Sequence, residues 1–452
     1  MTKKKILKQK ILRKSKNKAV ASKLILIPEP GSPLIFVDFA LKYGSLQDPV
    51  GKSGVASLTL SMLLRGTKKR IAADFHKALD NMGAEIHLGK YKESLRIYGI
   101  VLTENLPAFM DLLEELLTEP RFSEEEFVKI KTQFHSALLD ELGSDEDIAE
   151  RRFQEYLLAA HPYGRNTSGS LASLEKIQLD DLKLFYQKHF VSPATVFSAT
   201  GNFAKNWMTK RMQKILDKFP EGNFTLQKIP DPIIPAGKNF LLLNKPGRTQ
   251  SQVYIGAKGI AFSDKDYLPM IIANHVFGGG SFSARLMKEV REKRGWSYGA
   301  YAWFRSGRRP LYFAMQTVPS NKDTVPAIEL MIKLLAEYGK NGISKEEFDF
   351  AKKSLVNQSA FMQDTIRKRL DNKVTEEILD LPKGFYDSYV RRLKSLSYVQ
   401  VQKAIRKNIE AKNVFVLVLC SVDQLKQEFE NIKGVKSLQV KAFDEDPSVS
   451  VG

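Results

Sequence analysis

The sequence of 452 residues predicts an α+β protein built from two similar halves. One observation is an internal repeat: the segment Phe122–Phe127, FSEEEF, recurs 221 residues later as Ile343–Phe348, ISKEEF. Another is that each half opens and closes with a strand-like segment and carries long helical patterns in between. The third is a stretch rich in proline and glycine between residues 220 and 237, which is typical of a linker.

The predicted strands are short apolar runs rich in β-branched residues, as expected of buried strands. They comprise Leu34–Leu41, Val196–Thr200, Val253–Ala257 and Val414–Leu419. The clearest helical patterns span Glu124–Glu141 and Ser344–Met362. In both copies of the repeat a serine precedes acidic residues, which predicts an N-cap and a first turn that complements the helix dipole. A weaker match, at an offset of 219, sets Pro107–Phe109 beside Pro326–Ile328, and each proline is expected to open a helix.

These signals divide the chain into four parts. Residues 1–23 hold ten lysines and arginines and no acidic residue, which predicts a solvated, disordered basic tail. The first half spans residues 24–221, the linker 222–238 and the second half 239–452. Contact of the tail with nucleic acid or an anionic membrane is the alternative, but it rests on charge alone.

Composition excludes several classes of protein. With Cys420 as the single cysteine, the chain can form no internal disulfide and no thiolate metal cluster. No run of eighteen uncharged apolar residues is present, so we expect no membrane span. The apolar pairs near the start are interrupted by Lys, Gln or Arg, which argues against a cleavable signal. We therefore expect a cytoplasmic protein, or a periplasmic one if the true start differs.

The segment Gly54–Thr67 has the spacing of a zinc-binding helix without its ligands. Positions 57, 60 and 61 share one helix face, as in H-x-x-E-H, where two imidazoles bind zinc and the carboxylate takes a proton from the attacking water. Here those positions hold Ser57, Leu60 and Ser61. Hydroxyls and a leucine cannot retain Zn²⁺ or act as a general base, so we expect a degenerate site with no metal and no peptide cleavage by this chain alone.

Six separate segments carry a resemblance to one known family: Tyr43–Pro49, Gly54–Thr67, His161–Gly164, Phe185–Phe190, Gly278–Leu286 and Glu289–Tyr298. They resemble the M16 zinc metallopeptidases, the family of pitrilysin, insulin-degrading enzyme and mitochondrial processing peptidase, and most of all its bacterial members with subunits of this size. The resemblance covers roughly residues 24 to 430. It implies that each half forms a mostly antiparallel sheet flanked by helices.

The resemblance also implies catalytic roles for Arg291 and Tyr298. In the family an arginine and a tyrosine seven residues apart are supplied by the second half, and these two residues match that spacing. A tyrosine hydroxyl can donate to the oxyanion that develops on the scissile carbonyl, and a guanidinium can hold a neighbouring peptide carbonyl. From the residues alone, a solvated arginine and a tyrosine packed beside Trp296 are the simpler explanation.

Three more positions follow from the resemblance. Gly278, Gly279 and Gly280 are similar to a shortened form of the glycine-rich loop in the non-catalytic subunit of mitochondrial processing peptidase, which implies substrate binding, although a tight turn would also explain them. Glu141 is either a remnant of the third zinc ligand or an exposed helical acid. Ala84–Gly89 matches the edge strand that takes up extended peptides in zinc-bearing halves.

The expected function is therefore that of the non-zinc-binding subunit of a two-subunit M16-type metallopeptidase. Its partner would be a homologous zinc-bearing subunit in a heterodimer, its substrates peptides or unfolded polypeptides, and the only cofactor Zn in the partner. The alternative is a structural or assembly protein, comparable with the M16-like core subunits of the cytochrome bc1 complex. Nucleic acid is not an expected partner.

Overall fold

A computed structural model describes residues 22–159 and 161–446. The strands, in chain order, are β1 (Lys23–Pro28), β2 (Leu34–Leu41), β3 (Glu85–Lys90), β4 (Leu95–Leu102), β5 (Thr195–Gly201), β6 (Lys238–Asn244), β7 (Gln252–Lys258), β8 (Ala300–Ser306), β9 (Pro310–Thr317), β10 (Val414–Cys420) and β11 (Val435–Ala442). The α-helices of five residues or more are α1 (Val55–Leu63), α2 (Ala72–Asn81), α3 (Leu106–Thr118), α4 (Glu124–Glu141), α5 (Asp145–Leu157), α6 (Leu171–Lys176), α7 (Leu179–His189), α8 (Lys205–Leu216), α9 (Tyr267–Asn274), α10 (Asn321–Asn341), α11 (Lys345–Gln358), α12 (Ile366–Ile378), α13 (Tyr389–Ser395), α14 (Tyr398–Asn408) and α15 (Lys426–Glu430).

The strands form two sheets that repeat one topology. The first has the order β1-β5-β2-β4-β3, and the second has β11-β6-β10-β7-β9-β8. In each sheet the first and fifth strands in chain order pair in parallel, β1 with β5 and β6 with β10. The remaining pairs of the shared order are antiparallel. The second sheet adds β11, which pairs in parallel with β6. The predicted α+β fold with two mostly antiparallel halves is confirmed.

The local predictions agree closely with these elements. All four predicted strands are found, as β2, β5, β7 and β10, and α4 has the predicted bounds. The N-cap predicted at Ser344 is a full capping box: its hydroxyl accepts a hydrogen bond from the Glu347 amide at 3.1 Å, and the Glu347 carboxylate accepts from the Ser344 amide at 2.7 Å. Residues 220–235 form neither helix nor strand. Residues 1–21 of the predicted tail lie outside the described residues.

The chain divides into two compact units that are not continuous in sequence. The described parts of the first are residues 22–47, 55–127 and 178–228, and those of the second are residues 48–54, 128–159, 161–177 and 229–446. Helix α5 belongs to the second unit because its apolar face packs on β7 and β10. Phe153 of α5 lies with its ring centre 5.3 Å from that of Tyr254 and 5.5 Å from that of Tyr312. Edge-to-face and tilted contacts of this kind add to the burial of apolar area.

The first sheet contains a buried ion pair. Asp38 on β2 and Arg96 on β4 are diagonal neighbours on one face, since Asp38 pairs with Tyr98 and Ala40 pairs with Arg96. Both side chains are buried, and the Arg96 Nε donates to Asp38 Oδ1 at 3.3 Å while a second guanidinium nitrogen donates to Oδ2. The Arg96 guanidinium also lies 4.4 Å from the centre of the Tyr98 ring. Burial of two charges is tolerated here because each faces the other.

A second charged cluster joins α3 to α8 within the same unit. The buried Glu114 carboxylate lies 2.5 Å from Lys218 Nζ, 3.1 Å from an Arg211 guanidinium nitrogen and 3.4 Å from Lys214 Nζ. Burial alone would raise the pKa of Glu114. The hydrogen bond from Lys218 and the charges of the neighbouring cations outweigh it, so the pKa lies below its ordinary value.

We expect this cluster to make the stability of the protein depend on acid pH. Because the pKa of Glu114 is lower in the folded state than in the unfolded state, its stabilising contribution is present above the unfolded value, near 4.5, and is lost as the pH falls through the folded value. Glu114→Gln should lower the free energy of unfolding by about 1–3 kcal/mol at pH 7. Urea titrations of both proteins between pH 7 and pH 3 should show that difference shrinking toward acid pH. A difference that stays constant or grows would contradict the assignment.

Cys420 is the last residue of β10 and is completely buried. Burial raises the pKa of its thiol to about 12, so the reactive thiolate form is negligible at neutral pH. Among the described helices, none is both long and apolar enough to cross a lipid bilayer.

Candidate functional site

The three degenerate zinc positions lie on α1, as predicted from their spacing. All nine residues of this helix are buried, and Ser57, Leu60 and Ser61 are 0%, 1% and 6% exposed. Helix α1 packs against α7 of the same unit. The helix that resembles a zinc-binding one is therefore a core element, and its apolar composition suits that environment.

The residues on α1 do not fit a zinc ion. Zinc in proteins is held by imidazole, thiolate or carboxylate groups, and two hydroxyls and a leucine offer none of these. Within residues 22–159 and 161–446, no group of three or more His, Cys, Asp or Glu side chains could hold a metal. Glu141 makes an ion pair with Arg151 at 2.9 Å, and Arg151 in turn pairs with Glu155 at 2.9 Å. The carboxylate that matches the third ligand thus has a structural partner within its own unit.

Arg291 and Tyr298 lie in direct contact in the second unit. The centre of the Arg291 guanidinium is 4.5 Å from the centre of the Tyr298 ring, within the range of a cation–π contact. Tyr298 is 83% exposed, and Arg291 is half-buried. A seven-residue spacing alone does not bring two side chains together on a helix, so this contact depends on how the chain turns between them.

That turn is built by a π-helical segment and a glycine. Arg291 belongs to the π-helical turn Lys288–Glu292, and the chain then reverses at Gly295, whose φ of +64° is in the left-handed region that glycine adopts readily. The Gly295 amide donates to the Arg291 carbonyl at 2.9 Å, and the Trp296 amide donates to the Val290 carbonyl at 3.1 Å. These two bonds close the turn and return the chain toward Arg291.

The residues on either side of Tyr298 are fixed, although its ring is exposed. Ser297 and Gly299 are both buried. The Ser297 hydroxyl donates to the Gly299 carbonyl at 2.9 Å and accepts from the Val318 amide at 3.1 Å, and the Thr317 hydroxyl also donates to Gly299 at 2.9 Å. A large ring held outward by a fixed backbone gains little from core packing. Such an exposed aromatic residue is a candidate for binding.

Arg291 differs from the two basic residues that follow it in the sequence, because they form ion pairs. Glu289 pairs with Lys293 at 2.5 Å and with Arg294 at 2.7 Å, and these hydrogen bonds lower the pKa of Glu289. Across the part of the chain that the structure describes, no carboxylate lies within ion-pair distance of Arg291. Its guanidinium therefore carries a positive charge that no acidic side chain offsets, next to a hydroxyl donor. The arrangement can bind a carbonyl or developing oxyanion.

The three glycines are explained in part by packing. Gly278 and Gly279 lie in the π-helical turn His275–Gly279, and the next α-helical turn starts at Arg285. A Cβ added to Gly278 would come within 2.6 Å of the Ala302 amide nitrogen, and one added to Gly280 would come within 2.3 Å of the His275 carbonyl oxygen. Both positions thus require the absence of a side chain. Substrate binding by these glycines stays a prediction.

Sequence reasoning missed Phe282, which the structure places beside the candidate pair. Its ring centre is 4.8 Å from the Arg291 guanidinium, and the residue is 61% exposed. The signal available in the sequence is an aromatic residue between two serines directly after three glycines, where a loop is expected to be polar.

The predicted peptide-binding segment Ala84–Gly89 corresponds to β3, which is the last strand in the order of the first sheet. The equivalent strand of the second sheet, β8, is also terminal, but its Ala302 carbonyl accepts a hydrogen bond from the Asn274 side chain at 2.9 Å. The edge of β8 is thus partly covered by the end of α9.

Comparisons with known proteins agree with this architecture. The family model described as insulinase, peptidase family M16, matches residues 28–169, and the one described as the peptidase M16 inactive domain matches residues 176–355. The non-peptidase homolog YmxG of Helicobacter pylori is 26% identical over 393 residues, which cover 84% of this chain and 88% of that protein.

Two solved structures share the fold. The peptidase M16 inactive domain from Pseudomonas fluorescens has a TM-score of 0.81 at 24% identity and covers 89% of this chain and 96% of its own. A protease from Helicobacter pylori has a TM-score of 0.78 at 18% identity and covers 89% of this chain and 98% of its own. Because the two family models together match most of residues 28–355, the chain belongs to peptidase family M16.

Proposed function

We propose that this chain is the metal-free subunit of a two-subunit M16-type peptidase. It supplies Arg291 and Tyr298 to an active site whose zinc and H-x-x-E-H motif are carried by a homologous partner. The observation that carries the proposal is the 4.5 Å contact, on a fixed turn, between an exposed tyrosine and an arginine that has no carboxylate partner among the described residues. A chain that needed Tyr298 only for its own stability would gain little by leaving its ring exposed.

The two side chains have different roles in the proposed reaction. The partner's zinc would supply the activated water and polarise the scissile carbonyl. The Tyr298 hydroxyl donates a hydrogen bond to the oxyanion as it forms, an interaction that is stronger in the transition state than in the bound substrate. The Arg291 guanidinium donates to the carbonyl of a neighbouring peptide bond and so holds the substrate in register. The substrates are peptides or unfolded polypeptides.

A purely structural role is the second candidate. It is favoured by the name of the Helicobacter pylori relative, a non-peptidase homolog, and by the burial of Ser57, Leu60 and Ser61 in the core. In that case the chain would stabilise a larger assembly through its fold, and Arg291 and Tyr298 would be dispensable.

Reconstitution separates the two candidates. The zinc-bearing M16 subunit encoded nearest to this chain would be purified, and hydrolysis of a fluorogenic peptide would be measured with and without this chain. Activity that requires this chain, and that falls when Arg291 is replaced by Ala, supports the proposed role. Full activity without the chain, or stoichiometric zinc and peptide hydrolysis in the chain alone, would refute it. A stable complex in which the Arg291→Ala and Tyr298→Phe variants are fully active would establish the structural role instead.

A further inference from the structure

Phe282 is the third member of an arginine–aromatic cluster formed with Arg291 and Tyr298. The guanidinium lies 4.8 Å from the Phe282 ring centre and 4.5 Å from the Tyr298 ring centre, so two aromatic rings contact one cation. Each contact is within the range in which the electron-rich face of a ring attracts a positive charge. Arg291 is the residue that the two rings have in common.

The backbone holds the Phe282 ring in place. Phe282 is the middle residue of a 3₁₀ turn, Ser281–Ser283, that directly follows the three glycines. The Ser283 hydroxyl donates to the Gly280 carbonyl at 2.8 Å, and the Ala284 amide donates to the Ser281 carbonyl at 3.1 Å. Ser281 has a φ of +54°, a left-handed conformation that a non-glycine residue adopts only at an energetic cost. The surrounding contacts therefore impose this turn, and the turn directs Phe282.

The exposure of the Phe282 ring shows that it contributes little to core packing. Phe282 is 61% exposed, so it gives up much of the stabilisation that a buried phenylalanine would bring. The contact with Arg291 is an interaction that this exposed position retains. An arginine side chain is long and flexible, and one that is already ordered before substrate arrives loses less entropy on binding.

We infer that Phe282 is a positioning residue: from the turn that follows the glycines, it holds the Arg291 guanidinium beside Tyr298 for the carbonyl groups of an extended peptide. This inference deepens the proposed function and rests on it. It also gives the glycines a role that packing alone does not, because Gly278 and Gly280 permit the close approach from which the Phe282 turn starts.

The contact is tested on the full chain alone. Aromatic ring currents shift the resonances of nearby protons, so the Arg291 Nε–H signal, assigned with an Arg291→Lys variant in an arginine-labelled sample, should move when Phe282 is replaced by Leu. It should stay in place in the control Phe350→Leu, since Phe350 is 58% exposed on α11 and makes no ring contact with an arginine among the described residues. An Arg291 signal that Phe282→Leu leaves unmoved would overturn the inference.

The role is tested in the reconstituted peptidase. Phe282→Leu should lower kcat/KM about two- to fivefold, the factor that corresponds to an exposed cation–π contact, mainly through a higher KM. Phe282→Tyr, which keeps a ring, should restore kcat/KM to near the wild-type value. In an Arg291→Ala background, Phe282→Leu should have no further effect, because two residues that act through one interaction are not additive.

The outcomes distinguish this inference from the proposed function. Equal losses from Phe282→Leu in the presence and absence of the Arg291 side chain would show that Phe282 acts independently and would overturn the inference while leaving the proposed function intact. If Arg291→Ala and Tyr298→Phe both retain full activity, the proposed function fails, and the positioning role fails with it even where the resonance shift is seen.

Discussion

Tyr298→Phe is expected to lower the kcat of the reconstituted peptidase by about 10²–10³-fold, the loss typical of removing one hydrogen-bond donor to an oxyanion. The change deletes a single oxygen atom and keeps the ring, so the contact with Arg291 and the fixed backbone at Ser297 and Gly299 should persist. Because the hydroxyl acts mainly in the transition state, KM should change little. Initial rates over a range of peptide concentrations separate the two parameters.

A second exposed tyrosine gives a matched control for this prediction. Tyr301, on β8 of the same unit, is 40% exposed, and Tyr301→Phe should leave kcat within about twofold of wild type because surface changes outside a functional contact are small. Arg291→Ala should instead raise KM more than it lowers kcat. A Tyr298→Phe variant with unaltered kcat would remove the oxyanion role, and the proposed function would then rest on Arg291 alone.

Asp38→Ala should lower the free energy of unfolding by about 3–5 kcal/mol, the usual loss when one partner of a buried ion pair is removed. The substitution takes away the carboxylate that faces the buried Arg96 guanidinium between β2 and β4. The measurement is the urea unfolding curve at pH 7, followed by circular dichroism. Since the pair sits in the centre of the first sheet, the same variant should also show faster amide exchange in β2 and β4.

Two further variants test whether the stability loss in Asp38→Ala comes from breaking a buried ion pair. Asp180→Ala removes the surface pair that Asp180 forms with Lys183 at 3.0 Å, and it should change stability by less than about 1 kcal/mol. The double replacement Asp38→Leu with Arg96→Met should recover much of the stability lost in Asp38→Ala, because it removes the charge together with its partner. An Asp38→Ala protein as stable as wild type would show that the guanidinium is solvated or neutralised in another way.

Much of the fold can be read from local sequence signals. The strand β2 follows from an apolar run flanked by polar turns, and α4 from an apolar period of 3.6 after an acidic first turn. The N-cap at Ser344 is a purely local signal; it appears as predicted, and the structure shows that it is a full capping box. These elements need only neighbours within a few residues to be recognised.

Other features depend on contacts between distant residues. Pro326 was expected to open a helix, but α10 begins at Asn321 and contains the proline in its second turn. The start of α10 is held by the segment just before β7, since the Thr324 hydroxyl donates to the Ser251 hydroxyl at 2.9 Å. At the sixth position of α10, Pro326 removes the hydrogen bond that an amide there would donate to the Lys322 carbonyl, so the helix extends before the proline at the cost of one intrahelical bond. The strand β11 likewise depends on pairing with β6, because half of its eight residues are polar.

In the candidate site, too, some features follow from the local sequence and others depend on contacts between segments. The spacing of Ser57, Leu60 and Ser61 places them on one face of α1, and the identities of these residues exclude zinc without any structure. The sequence gives the spacing of Arg291 and Tyr298 but not their contact, which requires the reversal at Gly295. It also gives no indication that Phe282 reaches Arg291, because that contact joins a 3₁₀ turn to a π-helical turn.

The low reactivity of the Cys420 thiol makes this protein suitable for site-specific labelling. Its thiol is shielded at the end of β10, and no other cysteine competes for a maleimide dye. A cysteine introduced at a fully solvated position, such as Val50 or Ile233, would react alone in the native state. Fluorescent labels could therefore report binding of a second polypeptide in real time, with the wild-type thiol left untouched.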